Sequence, residues 1–209
     1  MTAADIMSIS YHRGDLPAGL DFGASVAIDT ETMGLRLTRD RLCVVQLSAG
    51  DGSVHIVHFA ERDYSAPNLR ALLADPSIEK LFHFARFDLA MILHHFGIAC
   101  RPVYCTRTAS KLVRTNSERH GLRDLCAELL GVELSKQQQT SDWGAAHLTQ
   151  QQLDYAAADV LYLHRLRDKL DALLRREGRT ELAKACFNFL PDRAALDLAG
   201  WEEEDIFAH

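Results

Sequence analysis

Three short runs rich in strand-forming residues, Val26 to Thr30, Leu42 to Ser48 and Ser53 to Phe59, follow one another with only turn-like stretches between them. Strands that close in sequence pair as an antiparallel meander. Beyond them the pattern alternates: Asn68 to Ala74 reads as a short helix, Leu81 to Phe84 as a strand, Phe87 to Phe96 as a helix stopped by Gly97, and Val103 to Cys105 as a fifth strand. From Ala109 onward it is helical almost to the end, with Ala109 to Arg114, Leu122 to Leu130 stopped by Gly131, and a longest helix from Thr149 to about Gly178. Thr149 and Gln152 have the spacing of a capping box. A meander followed by alternating helix and strand predicts an α/β fold: a mixed β-sheet flanked by α-helices.

Composition removes several classes of function. At 209 residues, 47% of them hydrophobic, the chain can bury roughly 70% of its unfolded surface, so a core forms without disulfides or a structural metal. The expected organisation is one domain over residues 1–209, with a core from about 8 to 178 and a C-terminal tail over 191–209. Cys43, Cys100, Cys105, Cys126 and Cys186 are odd in number and scattered, the pattern of reduced thiols. No apolar run approaches the roughly 20 residues of a spanning helix, and Met1 to Asp15 lacks a basic region followed by an apolar core. A cytoplasmic protein with no membrane partner is expected.

A net charge of −6 disfavours a nucleic-acid binder, but the distribution does not. Arg101, Arg107, Lys111, Arg114, Arg119 and Arg123 face a single acid, Glu118, within 23 residues; the stretch is either solvated surface or a contact for a phosphate backbone. Glu202, Glu203, Glu204 and Asp205 compensate at the far end, where Trp201 to His209 reads as a disordered end or an acidic interaction peptide.

Four acids sit where acids are costly. In the first strand side chains alternate faces, so Asp29 and Glu31 point together, roughly 7 Å apart along the strand. Such a pair is either an acidic strand end in water or a place that holds a cation. On the long helix Tyr155, Tyr162, Leu163, Leu166, Leu170 and Leu173 form one stripe that contains Asp159, with Asp154, His164, Asp168 and Asp171 opposite. An inward Asp159 needs a proton, a basic partner or a metal, and Tyr155 lies one turn before it. Asp88 stands beside the apolar stripe of Ala85, Leu89, Ile92 and Phe96, as a third acid aimed at a core or as a helix-start acid favoured by the macrodipole. Oxygen ligands without adjacent thiols select hard divalent cations, Mg²⁺ or Mn²⁺. Two such ions about 3.5–4 Å apart stabilise both the attacking water and the leaving oxygen of a displacement at phosphorus. A tyrosine hydroxyl, with a pKa of about 10, is suited to orienting that water rather than deprotonating it.

The segments Ile28 to Leu35 (IDTETMGL), His83 to Ala90 (HFARFDLA) and Tyr155 to Leu163 (YAAADVLYL), in this order, resemble the motifs of the DEDD superfamily of 3′ to 5′ exonucleases. The Tyr-x-x-x-Asp form of the third is that of the tyrosine branch. Leu42 to Ser48 and Gln139 to Val160 are similar to ribonuclease D and its relatives, and the likeness spans about Ser8 to Leu174. It implies an RNase H-like fold and two divalent cations. Asp29, Glu31 and Asp159 would bind the ion that activates water, with Asp29 reaching the second ion; Asp88 would hold that ion mainly through water, and Tyr155 would position the nucleophile. The substrate-binding candidates are Thr30, Thr32, Met33, Leu35, Gln46, His83, Phe84 and Phe87, with Leu35 packing on the terminal base.

Two features depart from the family pattern. Phe84 stands where members often have Asn after the His of the second motif, so it is either a stacking surface or a core aromatic. Only Thr180 to His209 follow the long helix, too few for the helical nucleic-acid-binding domain many ribonuclease D relatives carry; weak, salt-dependent binding and low processivity are expected unless the chain forms a homodimer. The implied function is a 3′ to 5′ exoribonuclease releasing nucleoside 5′-monophosphates from RNA 3′ ends, with transfer RNA processing as the family's usual role. The alternatives are an exonuclease acting on single-stranded DNA and a non-catalytic nucleic-acid-binding module. Elsewhere, His55 and His58 are expected on opposite faces of a strand, His94 and His95 at a solvated helix end, and Trp143 as a packing anchor.

Overall fold

The meander is the centre of a larger sheet. In the computed structural model, which describes residues 8–135 and 141–208, six strands form one mixed sheet: β1 (Ser8–Arg13), β2 (Ser25–Thr32), β3 (Leu42–Ser48), β4 (Ser53–His58), β5 (Glu79–Phe82) and β6 (Val103–Cys105). Their spatial order is β1-β4-β3-β2-β5-β6. β2, β3 and β4 pair antiparallel as expected, while β1 on β4, β5 on β2 and β6 on β5 are parallel. β3 is buried at every position, and its near-continuous apolar sequence LCVVQLS is what a strand covered on both faces requires. β1 is not evident in the sequence because SISYHR offers only Ile9 and Tyr11 as apolar residues, and it lies on the sheet edge, where half burial is enough.

The helices are α1 (Pro67–Ala74), α2 (Ala85–Phe96), α3 (Thr106–Val113), α4 (Leu122–Leu125), α5 (Gln150–Leu161), α6 (Leu163–Arg176) and α7 (Thr180–Leu196). A π-helical turn, Cys126–Leu130, continues α4 to the Gly131 stop. α2 ends at Gly97, whose φ of 67° is the left-handed conformation glycine adopts at least cost. The capping box at Thr149 and Gln152 forms, with reciprocal side-chain to backbone bonds.

Three expectations need correction. The single helix from Thr149 to Gly178 is two, broken at Tyr162, whose φ and ψ of −104° and −1° leave the helical register. The break rotates the second half, so the buried sets are Gln152, Ala156, Ala157 and Val160 on α5, and Leu163, Leu166, Leu170 and Leu174 on α6. Asp171, expected on the outer side, accepts a hydrogen bond from the Tyr104 hydroxyl at 2.9 Å. The tail expected over 191–209 is helical through Leu196 and continues as a π-helical turn, Asp197–Trp201, and the remaining described residues fold back: Phe207 packs its ring 6.0 Å from that of Phe189. His95, expected in solvent, accepts the Leu42 N–H and packs its ring, tilted, 4.6 Å from that of Tyr64. His55 and His58 do face opposite sides, pairing with His12 and Tyr11 respectively. Gln139 and Thr140, which open the last of the matching stretches, lie outside the described residues.

α5 packs across the meander, α2 against β2 and β5, and α7 against α2 and β6. Acids carried on β2, α2 and α5 therefore converge near the C-terminal end of β2. No helix among the described residues is long and apolar enough to cross a membrane.

Candidate active site

Strand alternation sends Asp29 and Glu31 toward α5, and there Asp159 meets them: one carboxylate oxygen from each of the three lies within 4.8 Å of the others. A register shift between Glu31 and Thr32 bends β2 where its acids emerge. Thr30, between the two acids in sequence, donates its hydroxyl to Asp88 Oδ1 at 2.6 Å, which fixes the fourth acid on α2. Asp88 is only 4% exposed, so it belongs to the buried wall of the site rather than to a solvated helix start.

These acids oppose one another electrostatically. Burial first, then the charges of Asp88, Asp159 and Glu31, push the Asp29 carboxyl well above the usual carboxylate range. Burial, then the charges of Asp159 and Asp88, raise Glu31 to about 9, and burial raises Asp88 and Asp159 to about 7 each. A cluster that resists ionisation on its own is one that a multivalent cation would relieve. Oxygen-only ligands in this geometry fit a hard divalent ion.

Tyr155, one turn before Asp159 on α5, hydrogen-bonds to it. Burial and the facing carboxylates drive its hydroxyl pKa upward, so the phenol stays protonated and serves as a donor. Behind it Trp143, 2% exposed, packs its ring 6.1 Å from the tyrosine ring, the anchoring role expected for it.

A cleft of about 840 Å³ opens over the acids, and every candidate residue except Met33 and Gln46 lines it. Gln46 is fully buried on β3, in register with Asp29, and points its amide at Asp29 Oδ2 from 3.5 Å; it orients an acid rather than facing the cleft. Met33 packs toward Gly144, where a Cβ would overlap its sulfur. Leu35 is 78% exposed, held out by a loop that Thr32 and Asp40 brace: the Thr32 hydroxyl donates to the Gly34 carbonyl and Asp40 accepts from the Arg36 N–H. Phe84 is not a core aromatic. It is 47% exposed at the cleft, in the left-handed conformation (φ 68°) at the junction of β5 and α2.

The basic run divides between the two readings given to it, and Arg86, Asp197, Glu202 and Glu203 are lining residues that the sequence did not point to. Of the basic run, Arg101 pairs with Asp192, Arg114 with Glu128 and Arg119 with Asp124, Lys111 points to solvent, and only Arg107 and Arg123 line the cleft. Arg107 reaches the cleft because β5 and β6 are parallel with Phe82 opposite Cys105, so the chain leaves both strands on the same edge of the sheet. Arg86, Asp197, Glu202 and Glu203 also line the cleft. Arg86 is tied to Asp197 by two bonds of 2.6 and 2.7 Å and to the Glu202 carbonyl, so the C-terminal segment forms one side of the cleft.

Comparison with known proteins converges on one group. Residues 15–175 match the 3′-5′ exonuclease family. Ribonuclease D of Granulibacter bethesdensis is 36% identical over 154 residues, 74% of this chain and 38% of that protein. The chain thus spans about two fifths of the length of the curated relatives it matches. NrnC of Brucella melitensis, solved with bound Mg²⁺ and also bound to pGG, is 56% identical with a TM-score of 0.92 in both forms; the Mg²⁺ form covers 97% of this chain and 100% of that one, the pGG form 97% and 99%. Escherichia coli RNase D, an exoribonuclease involved in structured RNA processing, superposes with a TM-score of 0.72 at 31% identity, covering 82% of this chain and 45% of that one.

Proposed function

The chain belongs to the 3′-5′ exonuclease family, and from that premise we propose that it is a divalent-metal-dependent exoribonuclease that removes nucleoside 5′-monophosphates from RNA 3′ ends. The observation that carries the reading is the meeting of Asp29, Glu31 and Asp159 within 4.8 Å at the floor of a cleft large enough for a strand end. Mg²⁺ in a relative of 56% identity, and pGG in the same relative, support a divalent ion and a nucleic-acid ligand here.

In this reading Asp29, Glu31, Asp159 and Asp88 hold two divalent cations, which when bound supply Lewis acidity to the attacking water and the leaving oxygen. The protein's part is placement. Thr30 holds Asp88, and Gln46 points its amide at Asp29. Tyr155 keeps its proton and orients the nucleophilic water through its hydroxyl. Leu35 and Phe84, exposed on the cleft, give the terminal bases apolar surfaces to pack on.

The test is a denaturing-gel time course on 5′-labelled single-stranded RNA, with and without Mg²⁺ or Mn²⁺, beside Asp29→Ala and a matched DNA. A metal-dependent ladder shortening from the 3′ end, absent in the mutant, is expected. Precursor transfer RNA in the same assay tests the processing role. Preferential shortening of the DNA would move the reading to a single-stranded DNA exonuclease, and intact strands throughout would leave a binding module.

A further inference from the structure

The wall of the cleft beside the acids carries two polar atoms whose hydrogen-bonding roles are fixed. The Thr106 hydroxyl has one proton, and it donates that proton to the Phe82 carbonyl at 3.1 Å. Toward His83 Nδ1, 2.9 Å away, Thr106 can therefore only accept, so Nδ1 carries the imidazole proton. Nε2 is left as a bare acceptor. It is buried, has no partner among the described residues, and belongs to a side chain lining the cleft. Burial and the Arg107 charge hold the ring neutral, so the lone pair persists across the physiological range.

Arg107 supplies the complementary atom. Its guanidinium carbon lies 4.5 Å from the Phe84 ring centroid, which stacks the group in place, and its Nε–H is buried without a partner among the described residues. Phe82 lies opposite Cys105 on the parallel β5–β6 register, so the next residues, His83 and Thr106, come level, and Arg107 follows Thr106 to stack on Phe84, the neighbour of His83, on the same wall of the cleft. A buried unpaired acceptor and a buried unpaired donor are each costly unless a ligand meets them.

A phosphate oxygen accepts without donating, and a base amino group donates without accepting; a sugar hydroxyl does both. We propose that His83 Nε2 and Arg107 Nε–H read a ribose hydroxyl of the bound strand end, which makes His83 a specificity-determining residue for RNA over DNA. The inference rests on the cleft being the exonuclease site and deepens that reading. Such a pair discriminates because an analogue lacking the hydroxyl leaves the buried atoms unsatisfied.

The experiment compares a short all-RNA strand with strands carrying one 2′-deoxy or one 3′-deoxy nucleotide at the 3′ end. Wild type, His83→Ala, His83→Gln, Thr106→Val and Arg107→Lys are assayed for kcat/KM with Mg²⁺, and for binding by fluorescence anisotropy with Ca²⁺ in its place. Wild type is expected to lose about five- to tenfold on removal of one hydroxyl, the worth of one hydrogen bond. His83→Ala should treat the paired strands alike, His83→Gln should recover part of the preference through its amide oxygen, and Thr106→Val should weaken it by releasing the tautomer. An unchanged preference in His83→Ala for both hydroxyls, in a variant whose melting and Mn²⁺-induced stabilisation match wild type, would overturn the proposal. Should no strand be shortened while ribose-dependent binding is present in wild type and absent in His83→Ala, the hydroxyl reader stands and the exonuclease reading falls.

Discussion

Asp29 is the residue on which the site's opposing demands meet. In the proposed reaction its charge holds a cation, and without one that charge is unwelcome, since burial and three neighbouring acids all raise its pKa. Asp29→Asn keeps the shape and removes the charge. It is expected to cut the rate by at least about 10³-fold, because a lost ligand forfeits several kcal/mol of transition-state stabilisation. The same variant should melt about 2–4 °C higher than wild type in EDTA, the equivalent of about 1 kcal/mol in a chain of this size. Calorimetry with and without Mn²⁺ checks both parts, and a metal-free variant less stable than wild type would show that the cluster is not under repulsion. Tyr155→Phe probes a different step. It should lower kcat by about 10²-fold, at the modest end of what a positioned proton-handling group supplies, with KM and the metal-induced stabilisation unchanged. These residues were legible in the sequence because motif spacing survives folding. Gln46 was legible only as polar; that it points at Asp29 follows from the β2–β3 register, which no local pattern encodes.

Elements place these residues, and two of them carry predictions. The loop after β2 displays Leu35 through a close approach: a Cβ on Gly34 would overlap the Asp40 carboxylate, which accepts from Arg36 N–H at 3.0 Å and pairs with Arg39. Gly34→Ala must displace that carboxylate and with it the loop. A rise in KM of about tenfold, with kcat within about twofold, is the expected signature of lost ground-state contact. The second element is the C-terminal segment, pinned where Arg86 and Arg193 both reach Asp197, itself 6% exposed. Asp197→Ala leaves two partly exposed guanidiniums without their anion and should cost about 1–3 kcal/mol, below the full loss for a deeply buried pair because Arg86 keeps solvent contact. Urea unfolding reads this directly. Local signals gave the capped start of α5 and the glycine stop of α2, since caps and φ preferences act within a few residues. The break at Tyr162 and the strand β1 were not legible. Both follow from what each segment packs against: α6 turns to bury Leu163, Leu166, Leu170 and Leu174, and β1 needs only an edge partner.

Across the whole molecule, two populations of buried titratable groups pull stability in opposite directions with pH. Burial lowers the pKa of His83 to about 3 and of His95 to about 4, and lowers His12, His55, His58 and His164 as well. The folded chain therefore binds fewer protons than the unfolded one below about pH 6.5, so their stabilisation is present above that pH and is lost on acidification toward 3–4. The clustered carboxylates do the reverse. With folded values of about 7 for Asp88 and Asp159 and about 9 for Glu31, the metal-free fold retains protons that the unfolded chain releases near pH 4. Their contribution is present below about pH 4 and declines as pH rises through 7 to 9. A bound divalent ion cancels only this second trend, because it compensates the ionised acids, whereas most of the histidines, His12, His55, His58, His95 and His164, lie outside the cleft. The difference in melting temperature between Mg²⁺-saturated and EDTA-treated protein should accordingly grow as pH rises through about 7 to 9, while the histidine-driven fall on acidification toward pH 3–4 appears in both curves. A metal-induced shift independent of pH across that range would mean that the ion binds without displacing protons, and that the four acids are already ionised in the metal-free fold.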